Sequence, residues 1–220
     1  MRLEKASEKA MRYACLKFHY AKRVPAPPKV GFSVFNDTGE WCGCVIFNNG
    51  IEGIQKPFGL KMGQVCELVR VALNGNHGVT SKVVSVAARL FKKQNPLVKI
   101  LVSYADSDCD HFGTIYQAMN WIYVGSKKTS DEFIDPKTGK SIHSRSHSQT
   151  GFSIQFGVKK TVPKTSDLIR NKKGVKHKYV LVLDKSLKFN LQSKPYPKSV
   201  QSIIGDAPGN RSGEGGSIPT

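Results

Sequence analysis

The stretch Leu101–Gly125, LVSYADSDCDHFGTIYQAMNWIYVG, decides the fold of this 220-residue chain. Residues 100–105 form an apolar, β-branched run that ends in Asp106, as is typical of a buried strand with a polar group at its carboxyl end. Residues 111–119 have helical spacing, and residues 121–123 resume a strand. This succession predicts an α/β fold with a ligand site at the end of the first strand.

The segments on either side add further elements of the same domain. Strands are predicted at residues 31–36, 41–48, 66–73, 151–158 and 178–183, and helices at residues 4–16 and 80–93. These elements predict one α/β domain over residues 1–200, with a mixed central sheet flanked by helices. Residues 201–220 have almost nothing to bury and are predicted to form a disordered tail.

The chain is strongly basic, and the excess charge lies at its two ends. Lys and Arg number 34 against 16 Asp and Glu, which gives a net charge of +18 at pH 7. Residues 159–198 carry 12 basic and 2 acidic residues, and residues 1–30 carry 8 and 2. Basic clusters bind a phosphate backbone by releasing its counterions, so a nucleic acid is the predicted partner. A solvated surface and a membrane-surface patch are the alternatives.

Hydropathy and cysteine usage predict a soluble, cytoplasmic protein. No apolar run approaches the ~20 residues that span a bilayer, and the first residues lack the apolar centre of a secretory signal. The five cysteines form neither a CxxC pair nor a zinc-finger spacing, which predicts reduced thiols. Cys42 and Cys44 are predicted to share one buried face of a strand.

Acidic and imidazole side chains cluster after residue 105. The alternating carboxylates resemble the opening of a calcium loop, but His111 stands where that loop needs glycine and Gln117 where it needs glutamate. Asp106 or Asp110, together with His111 and the distant His19, could hold divalent iron or manganese, because imidazole and carboxylate suit those metals. The alternative is an acidic turn stabilised by the helix that follows.

Four residues are candidates for acid–base chemistry or stacking. Desolvation raises the pKa of a carboxyl and a nearby cation lowers it, so the protonation of Asp106 is tunable by a residue such as Arg70. An ion pair between these two residues is the structural alternative. His19 can take a proton near neutral pH, and Tyr20 can stack on a base, although both can also be half-buried structural residues.

The junction of the predicted strand 66–73 with the helix after it is a candidate anion site. Gly78 lets the backbone approach a ligand closely, Ser81 and Lys82 supply polar contacts, and Asn76 lies in the intervening loop. Free amides of the first helical turn favour negative charge, so a diphosphate is predicted to bind there. Thr80 or Ser81 is the predicted N-cap. Most such junctions hold no ligand, which is the alternative.

Several separated phrases resemble the phage Mom family, whose members modify adenine in phage DNA. In chain order they are FHYAKR (Phe18–Arg23), ELVRVAL (Glu67–Leu73), SYAD (Ser103–Asp106), HFGTIYQA (His111–Ala118), NWIYVG (Asn120–Gly125) and KHKYVLVLDK (Lys176–Lys185). The central phrases also resemble the acyl-CoA-binding half of the GNAT-type N-acyltransferase fold. The arginine/glycine-rich phosphate loop of that fold has no obvious counterpart here.

The resemblance implies a GNAT-like enzyme that converts the N6 amine of adenine in double-stranded phage DNA into a methylcarbamoyl-modified amine and so protects the DNA from restriction. It implies an acyl-CoA donor such as acetyl-CoA. Acetyl transfer alone does not make that product, so a further step is needed, which a metal such as divalent iron could assist. Because N6 lies inside a base pair, the base has to flip into a pocket lined by aromatics, for which Trp121, Tyr123 and Tyr20 are candidates.

Residue roles follow from the same resemblance. The implied catalytic residues are Asp106, Tyr116, His19, Tyr20 and Arg70, with Tyr116 as the acid that protonates the leaving thiolate. The implied donor contacts are Asn76, Gly78, Ser81 and Lys82, and the predicted DNA contacts are Lys22, Arg23, Arg145, Lys172, Lys173, Lys176 and Lys178. Two rival functions stay open: a GNAT-type N-acyltransferase acting on a protein or small amine, and a non-catalytic basic DNA-binding protein.

Overall fold

The structure is a computed structural model that describes residues 1–27, 29–142, 146–155, 157–187 and 192–197. The predicted DNA contact Arg145 and the predicted tail, residues 201–220, lie outside the described residues. In the part of the chain that is described, no helix is both long and apolar enough to cross a bilayer.

Twelve strands and three α-helices make up the described fold. The strands are β1 (Arg2–Lys5), β2 (Lys29–Phe35), β3 (Trp41–Asn48), β4 (Val65–Leu73), β5 (Ile100–Asp106), β6 (Ile122–Lys128), β7 (Glu132–Ile134), β8 (Ser141–Ile142), β9 (Phe152–Gln155), β10 (Val158–Thr161), β11 (Ile169–Asn171) and β12 (Val175–Val182). The helices are α1 (Glu8–Lys17), α2 (Thr80–Gln94) and α3 (Thr114–Ala118).

A seven-stranded mixed sheet forms the centre of the molecule, in the order β1-β2-β3-β4-β5-β12-β6. Its neighbours are antiparallel except for β4 and β5, which run parallel. Strand β12 comes last in the chain but lies between β5 and β6. Two small sheets, β10-β9 and β11-β7-β8, lie outside it.

Helices pack on both faces of the central sheet. On one face, α2 buries Val83, Val84, Ala87 and Phe91, and the ring of Phe91 stacks on Phe47 with a centroid distance of 4.4 Å. These side chains lie at helical spacing within the helix predicted over residues 80–93, and the Val and Phe side chains each contribute roughly 1.5–3 kcal/mol when fully buried. On the other face, α1 buries an apolar stripe of its own against β3. The central sheet therefore has an apolar core on each face, one beneath α2 and one beneath α1.

The amino-terminal prediction is wrong in its boundary. The helix predicted over residues 4–16 is preceded by β1, which pairs with β2, and α1 begins only after Ser7. The Ser7 side chain accepts a hydrogen bond from the Ala10 amide at 3.2 Å, which caps the first turn. A short amphipathic segment leaves strand and helix ambiguous, and here pairing with β2 determines the strand.

Cys42 and Cys44 do not share a face, contrary to the prediction. Gly43 between them has a φ of +121°, and the register of β2 and β3 shifts beside it, so the alternation of side chains is broken. Cys42 therefore lies in the core under α2, and Cys44 in the core under α1. A Cβ at Gly43 would lie 2.1 Å from the Ala72 carbonyl oxygen, so only glycine fits this bulge.

Helix α3 is shorter than predicted because of Gly113. This residue has a φ of +77°, and a Cβ there would lie 2.3 Å from the ring of Tyr179. Gly113 accordingly ends the turn after β5 and lets α3 begin close against β12. One helical turn later, Tyr116 points back into the sheet.

The parallel strands β4 and β5 separate after a short pairing. Their ladder covers three residue pairs, the last being Glu67 with Val102. Beyond it, the hydroxyl of Ser103 on β5 donates to the Leu68 carbonyl on β4 at 2.8 Å, where a backbone amide would continue a ladder. The carboxyl ends of the two strands therefore open into a cleft, at the position where ligands bind in α/β sheets.

Candidate active site

A cavity of about 690 Å³ lies in the cleft between β4 and β5. This volume is within the ~300–1,000 Å³ typical of small-molecule sites. All five residues implied to be catalytic line its wall: His19, Tyr20, Arg70, Asp106 and Tyr116. They come from the end of α1, from β4, from β5 and from α3, so the fold brings together residues that are almost 100 positions apart in the chain.

Tyr116 lies at the closed end of this cavity. Its hydroxyl is 2.7 Å from Ser103 Oγ, and Ser103 also donates to the Leu68 carbonyl. Because a serine hydroxyl has one proton and the carbonyl is only an acceptor, Tyr116 donates to Ser103 when Ser103 donates to Leu68. Burial raises the pKa of Tyr116 to about 12. The phenol therefore carries its proton at neutral pH, as a general acid must before it acts.

Glu67 is a site residue that the sequence analysis did not select. It lines the same cavity from β4, and burial raises the pKa of its carboxyl, while Arg70 and Lys176 lower it. A carboxyl is expensive to bury in an apolar strand, and it commonly marks a functional position. That single acid among apolar neighbours was the signal in the sequence that could have identified it.

The aromatic pair His19–Tyr20 forms the mouth of the cavity. The two rings lie 4.3 Å apart, Tyr20 is 5.0 Å from His111, and Tyr20 remains 47% exposed. His19 Nδ1 accepts a hydrogen bond from the Ala21 amide at 3.1 Å, so its proton resides on Nε2. Burial and the positive charge of Arg70 lower the pKa of His19 to about 4. His19 is thus neutral at pH 7, although the sequence suggested a group that titrates there.

The environment of His19 makes the stability of the protein pH-dependent. With a folded-state pKa near 4 against 6.5 unfolded, the unfolded chain binds more protons between these values. The contribution of His19 to stability is therefore complete above pH 6.5 and is lost as the pH drops toward 4. We expect the denaturation midpoint to fall less over this range in His19→Asn, whose side-chain oxygen can still accept from Ala21, than in the native chain. An equal fall in both would contradict the lowered pKa.

Asp106 and Arg70 line the cavity without forming the ion pair considered from the sequence. Asp106 accepts a hydrogen bond from the Asp108 amide at 3.1 Å, and its other oxygen is 3.8 Å from Lys176 Nζ. Arg70 donates to the Val69 carbonyl at 2.7 Å and to the Arg23 carbonyl at 3.4 Å. Arg70 thereby ties the segment after α1 to β4, which keeps its charge at the cavity wall.

The predicted aromatic pocket and the predicted metal site are only partly assembled. Trp121 and Tyr123 are buried in the core, where Tyr123 shares a hydrogen bond with His177 at 2.9 Å, so Tyr20 alone of the three aromatics lines the cavity. Among the residues that the structure describes, no group of three His, Cys, Asp or Glu side chains could hold a metal ion. The described side chains therefore do not fit the predicted iron.

The predicted donor contacts lie next to the cavity. Asn76 and Gly78 line a separate hollow of about 240 Å³ with Asp37, whereas Thr80 of the same segment lines the main cavity. The N-cap of α2 is Val79, not Thr80 or Ser81, and no side chain caps the first turn. The amides of this turn donate to no side-chain cap and can face an anion, and the binding of a diphosphate there stays a prediction. Neither Ser81 nor Lys82 is among the residues that line the two hollows.

The predicted DNA contacts are unequally available. Lys22, Arg23 and Lys172 are exposed. Lys173, by contrast, forms an ion pair with Glu132 at 2.9 Å, and Lys178 is half-buried with Nζ 4.9 Å from the centre of the Phe58 ring. Burial lowers the pKa of Lys178. The sequence analysis also missed two exposed lysines on β6, Lys127 and Lys128, which line the cavity.

One protein family matches nearly the whole of the described fold. The model of the Mom protein family matches residues 1–198. The chain belongs to the Mom protein family. The family recognised from the sequence phrases is thereby confirmed. No curated protein matches the sequence.

Solved acetyltransferases are similar to this Mom family chain in overall arrangement. An acetyltransferase from Bacillus subtilis in complex with CoA is 12% identical, with a TM-score of 0.43 over 83% of this chain and 98% of that one. A variant of spermidine N-acetyltransferase from Vibrio cholerae is 9% identical, with a TM-score of 0.42 over 83% of this chain and 95% of that one. The predicted α/β fold, with a mixed central sheet flanked by helices, is confirmed by the strand order and the helices of this chain.

Proposed function

We propose that this Mom family chain modifies the N6 amine of adenine in double-stranded DNA, with an acyl-CoA such as acetyl-CoA as donor. The observation that carries the proposal is that a half-buried carboxyl, Glu67, and a buried phenol, Tyr116, line the same cavity. A group transfer from a thioester to an amine needs a proton acceptor at the amine and a proton donor at the leaving thiolate. The cavity supplies both.

The cleft between β4 and β5 suits the extended arm of an acyl-CoA. Where the two strands separate, their facing backbone groups no longer pair with each other, so an extended chain with amide groups can bind between them as a strand would. The uncapped first turn of α2 lies at the same end of the sheet, where its amides can bind the diphosphate. The thioester would then lie near Tyr116.

The mouth of the cavity suits an adenine that has left the duplex. An enzyme that acts on the exocyclic amine of a base must extrude that base, at a cost of a few kcal/mol. Tyr20 and His111 present aromatic rings there on which a base can stack. The net charge of +18 favours approach to the phosphate backbone.

The transfer step can be written with the residues of the cavity. The N6 nitrogen attacks the thioester carbonyl carbon, so that a C–N bond forms and the C–S bond breaks. Glu67 accepts the amine proton, and Tyr116 donates its proton to the departing thiolate. The products are an N6-acylated adenine and free coenzyme A. This step gives an N6-acyl product; the methylcarbamoyl form, in which N6 is bonded to a methylene carbon, is not a product of it.

A modified N6 would protect DNA from restriction. In the major groove N6 is the hydrogen-bond donor that distinguishes adenine, and an added group blocks its contacts with an endonuclease. We therefore expect phage or plasmid DNA from cells that express the chain to resist restriction at sites that contain adenine.

Mass spectrometry of nucleosides tests this function. DNA from bacteria that express the chain should contain an adenine species heavier by an acyl or methylcarbamoyl group, absent from cells with empty vector. If the DNA is unmodified but a protein or small amine from the same cells is acylated, the chain is an N-acyltransferase that acts on that amine. If cells that contain much soluble protein yield unmodified DNA and no acylated product, the proposed enzymatic activity is wrong. DNA binding would then be the remaining function.

A further inference from the structure

A row of three charged residues crosses the sheet at the mouth of the cavity. In the pairing of β5 with β12, Asp106 lies opposite Lys176, and in the pairing of β12 with β6, Lys176 lies opposite Lys127. Directly opposite residues of antiparallel strands project from the same face, and all three of these line the cavity. Along this row, Asp106 is negatively charged, and Lys176 and Lys127 are positively charged.

The two lysines of this row repel each other. Like charges directly opposite in a sheet are destabilising. Asp106 relieves part of the repulsion, since it is 3.8 Å from Lys176 Nζ, but Lys127 has no ion-pair partner among the described residues. Lys128 follows on the same edge strand and is exposed as well. An anion bound between Lys127 and Lys176 would remove the repulsion.

A hydroxyl without a partner lies next to this row. Thr129 Oγ1 is buried and has no hydrogen-bond partner among the described residues, and Thr129 lines the cavity directly after the two lysines of β6. Buried polar groups are rarely left unpaired. Thr129 therefore offers an unpaired hydroxyl in the cavity wall that also contains the two lysines.

We propose that Lys127 and Lys176 form a phosphate subsite at the cavity mouth that holds the backbone phosphate of the nucleotide whose base enters the cavity. The identity of this phosphate rests on the proposed function. The first turn of α2, on the β4 side of the cleft, is available to the phosphates of an acyl-CoA, whereas the lysine row lies on the β5 side. The β4 side of the cleft would thus bind the phosphates of the donor, and the β5 side would bind a phosphate of the DNA. The lysine row thereby positions the DNA.

Duplex binding by charge-removing variants tests the subsite. We expect Lys127→Gln combined with Lys176→Gln to weaken binding of a 20-base-pair duplex and to reduce the slope of log affinity against log salt by about 1–2, because one or two phosphate contacts are lost. The matched control is the double variant Lys61→Gln, Lys93→Gln, which removes two exposed charges that lie outside the cavity wall and are not among the predicted DNA contacts. The subsite is overturned if the two double variants weaken binding and change the slope equally.

Titration with acetyl-CoA distinguishes the source of the phosphate. Unchanged acetyl-CoA affinity with weakened duplex binding assigns the subsite to DNA, as proposed. Weakened acetyl-CoA binding with unchanged duplex binding overturns that assignment and gives the subsite to the donor. The outcome is separable from the proposed function, because duplex binding can depend on Lys127 and Lys176 even in a chain that forms no modified adenine.

Thermal unfolding gives a readout that needs neither DNA nor donor. Inorganic phosphate should raise the Tm of the native chain more than sodium chloride of equal ionic strength does, and Lys127→Gln should lose most of this difference. The same variant should melt slightly higher than the native chain at low salt, because the repulsion with Lys176 is gone. A phosphate effect that is identical in the variant would contradict the subsite.

Discussion

Tyr116→Phe is expected to lower DNA modification by roughly 10²–10⁴-fold, the contribution typical of a positioned general acid or base. Phenylalanine keeps the ring that packs on Trp121 at 5.1 Å and on Tyr179 at 5.2 Å, so the core stays filled. Only the hydroxyl and its hydrogen bond to Ser103 are lost, which lowers the free energy of unfolding by about 1 kcal/mol. The measurement is the initial rate of duplex modification at saturating donor.

The control for this variant is Tyr123→Phe. Tyr123 is also a buried tyrosine with a bonded hydroxyl, but it contacts His177 and lies outside the cavity wall. Both variants should lose similar stability, while Tyr123→Phe should retain most of the rate. A rate in Tyr116→Phe within a few-fold of the native value would remove Tyr116 from the chemistry.

Glu67→Gln is expected to stabilise the protein while it lowers the rate by a comparable factor of roughly 10²–10⁴. Burial raises the pKa of Glu67 above the unfolded value of 4.5, so between these two values the folded chain binds more protons than the unfolded chain. Stability therefore falls as the pH rises through this window, and the loss persists at neutral pH. Glutamine carries no charge and avoids that loss. A substitution that raises the stability of the protein but lowers its rate indicates that the native residue serves function at a cost in stability.

The pH profile separates a proton acceptor from a structural role for Glu67. The native rate should fall as the pH drops below the raised pKa of Glu67, because the protonated carboxyl cannot accept the amine proton. Glu67→Gln should lose this limb of the profile together with most of the rate. As a matched change outside the cavity, Glu52→Gln on the neighbouring exposed loop should alter neither stability nor rate. A full rate in Glu67→Gln would assign the proton to another group.

Local sequence patterns predicted the elements well where periodicity was strong. The buried stripe of α2 and the β2–β3 hairpin follow directly from the spacing of apolar residues and from the turn between the strands. The pattern failed where a non-local contact overrides it. Residues 2–5 are a strand only because β2 pairs with them, and α3 begins late only because Gly113 packs against Tyr179.

Strand order was the part of the fold that the sequence left open. No local signal places β12 between β5 and β6, yet this placement sets Lys176 opposite both Asp106 and Lys127. The separation of β4 from β5 is likewise a property of the assembled sheet, and it creates the cavity.

For the same reason, the candidate site was predicted only in part. The sequence phrases selected the residues of the cavity wall that are chemically conspicuous, such as Tyr116 and Asp106. No role was assigned to Glu67, although the phrase ELVRVAL begins with it, and its place in the cavity wall is a property of the assembled sheet. The sequence analysis also treated Lys178 as a free cation, although packing against Phe58 half-buries it.

Transfer of a labelled acyl group to DNA tests the central claim most directly. The purified chain is incubated with acetyl-CoA labelled in its acetyl group and with either a duplex that contains adenine or one built only from G·C pairs. The account predicts that label enters the adenine-containing duplex with release of an equal amount of coenzyme A, and that neither the G·C duplex nor Tyr116→Phe gives this product. Two results would contradict the account: the label stays in acetyl-CoA although the native protein is folded, or the label enters both duplexes equally.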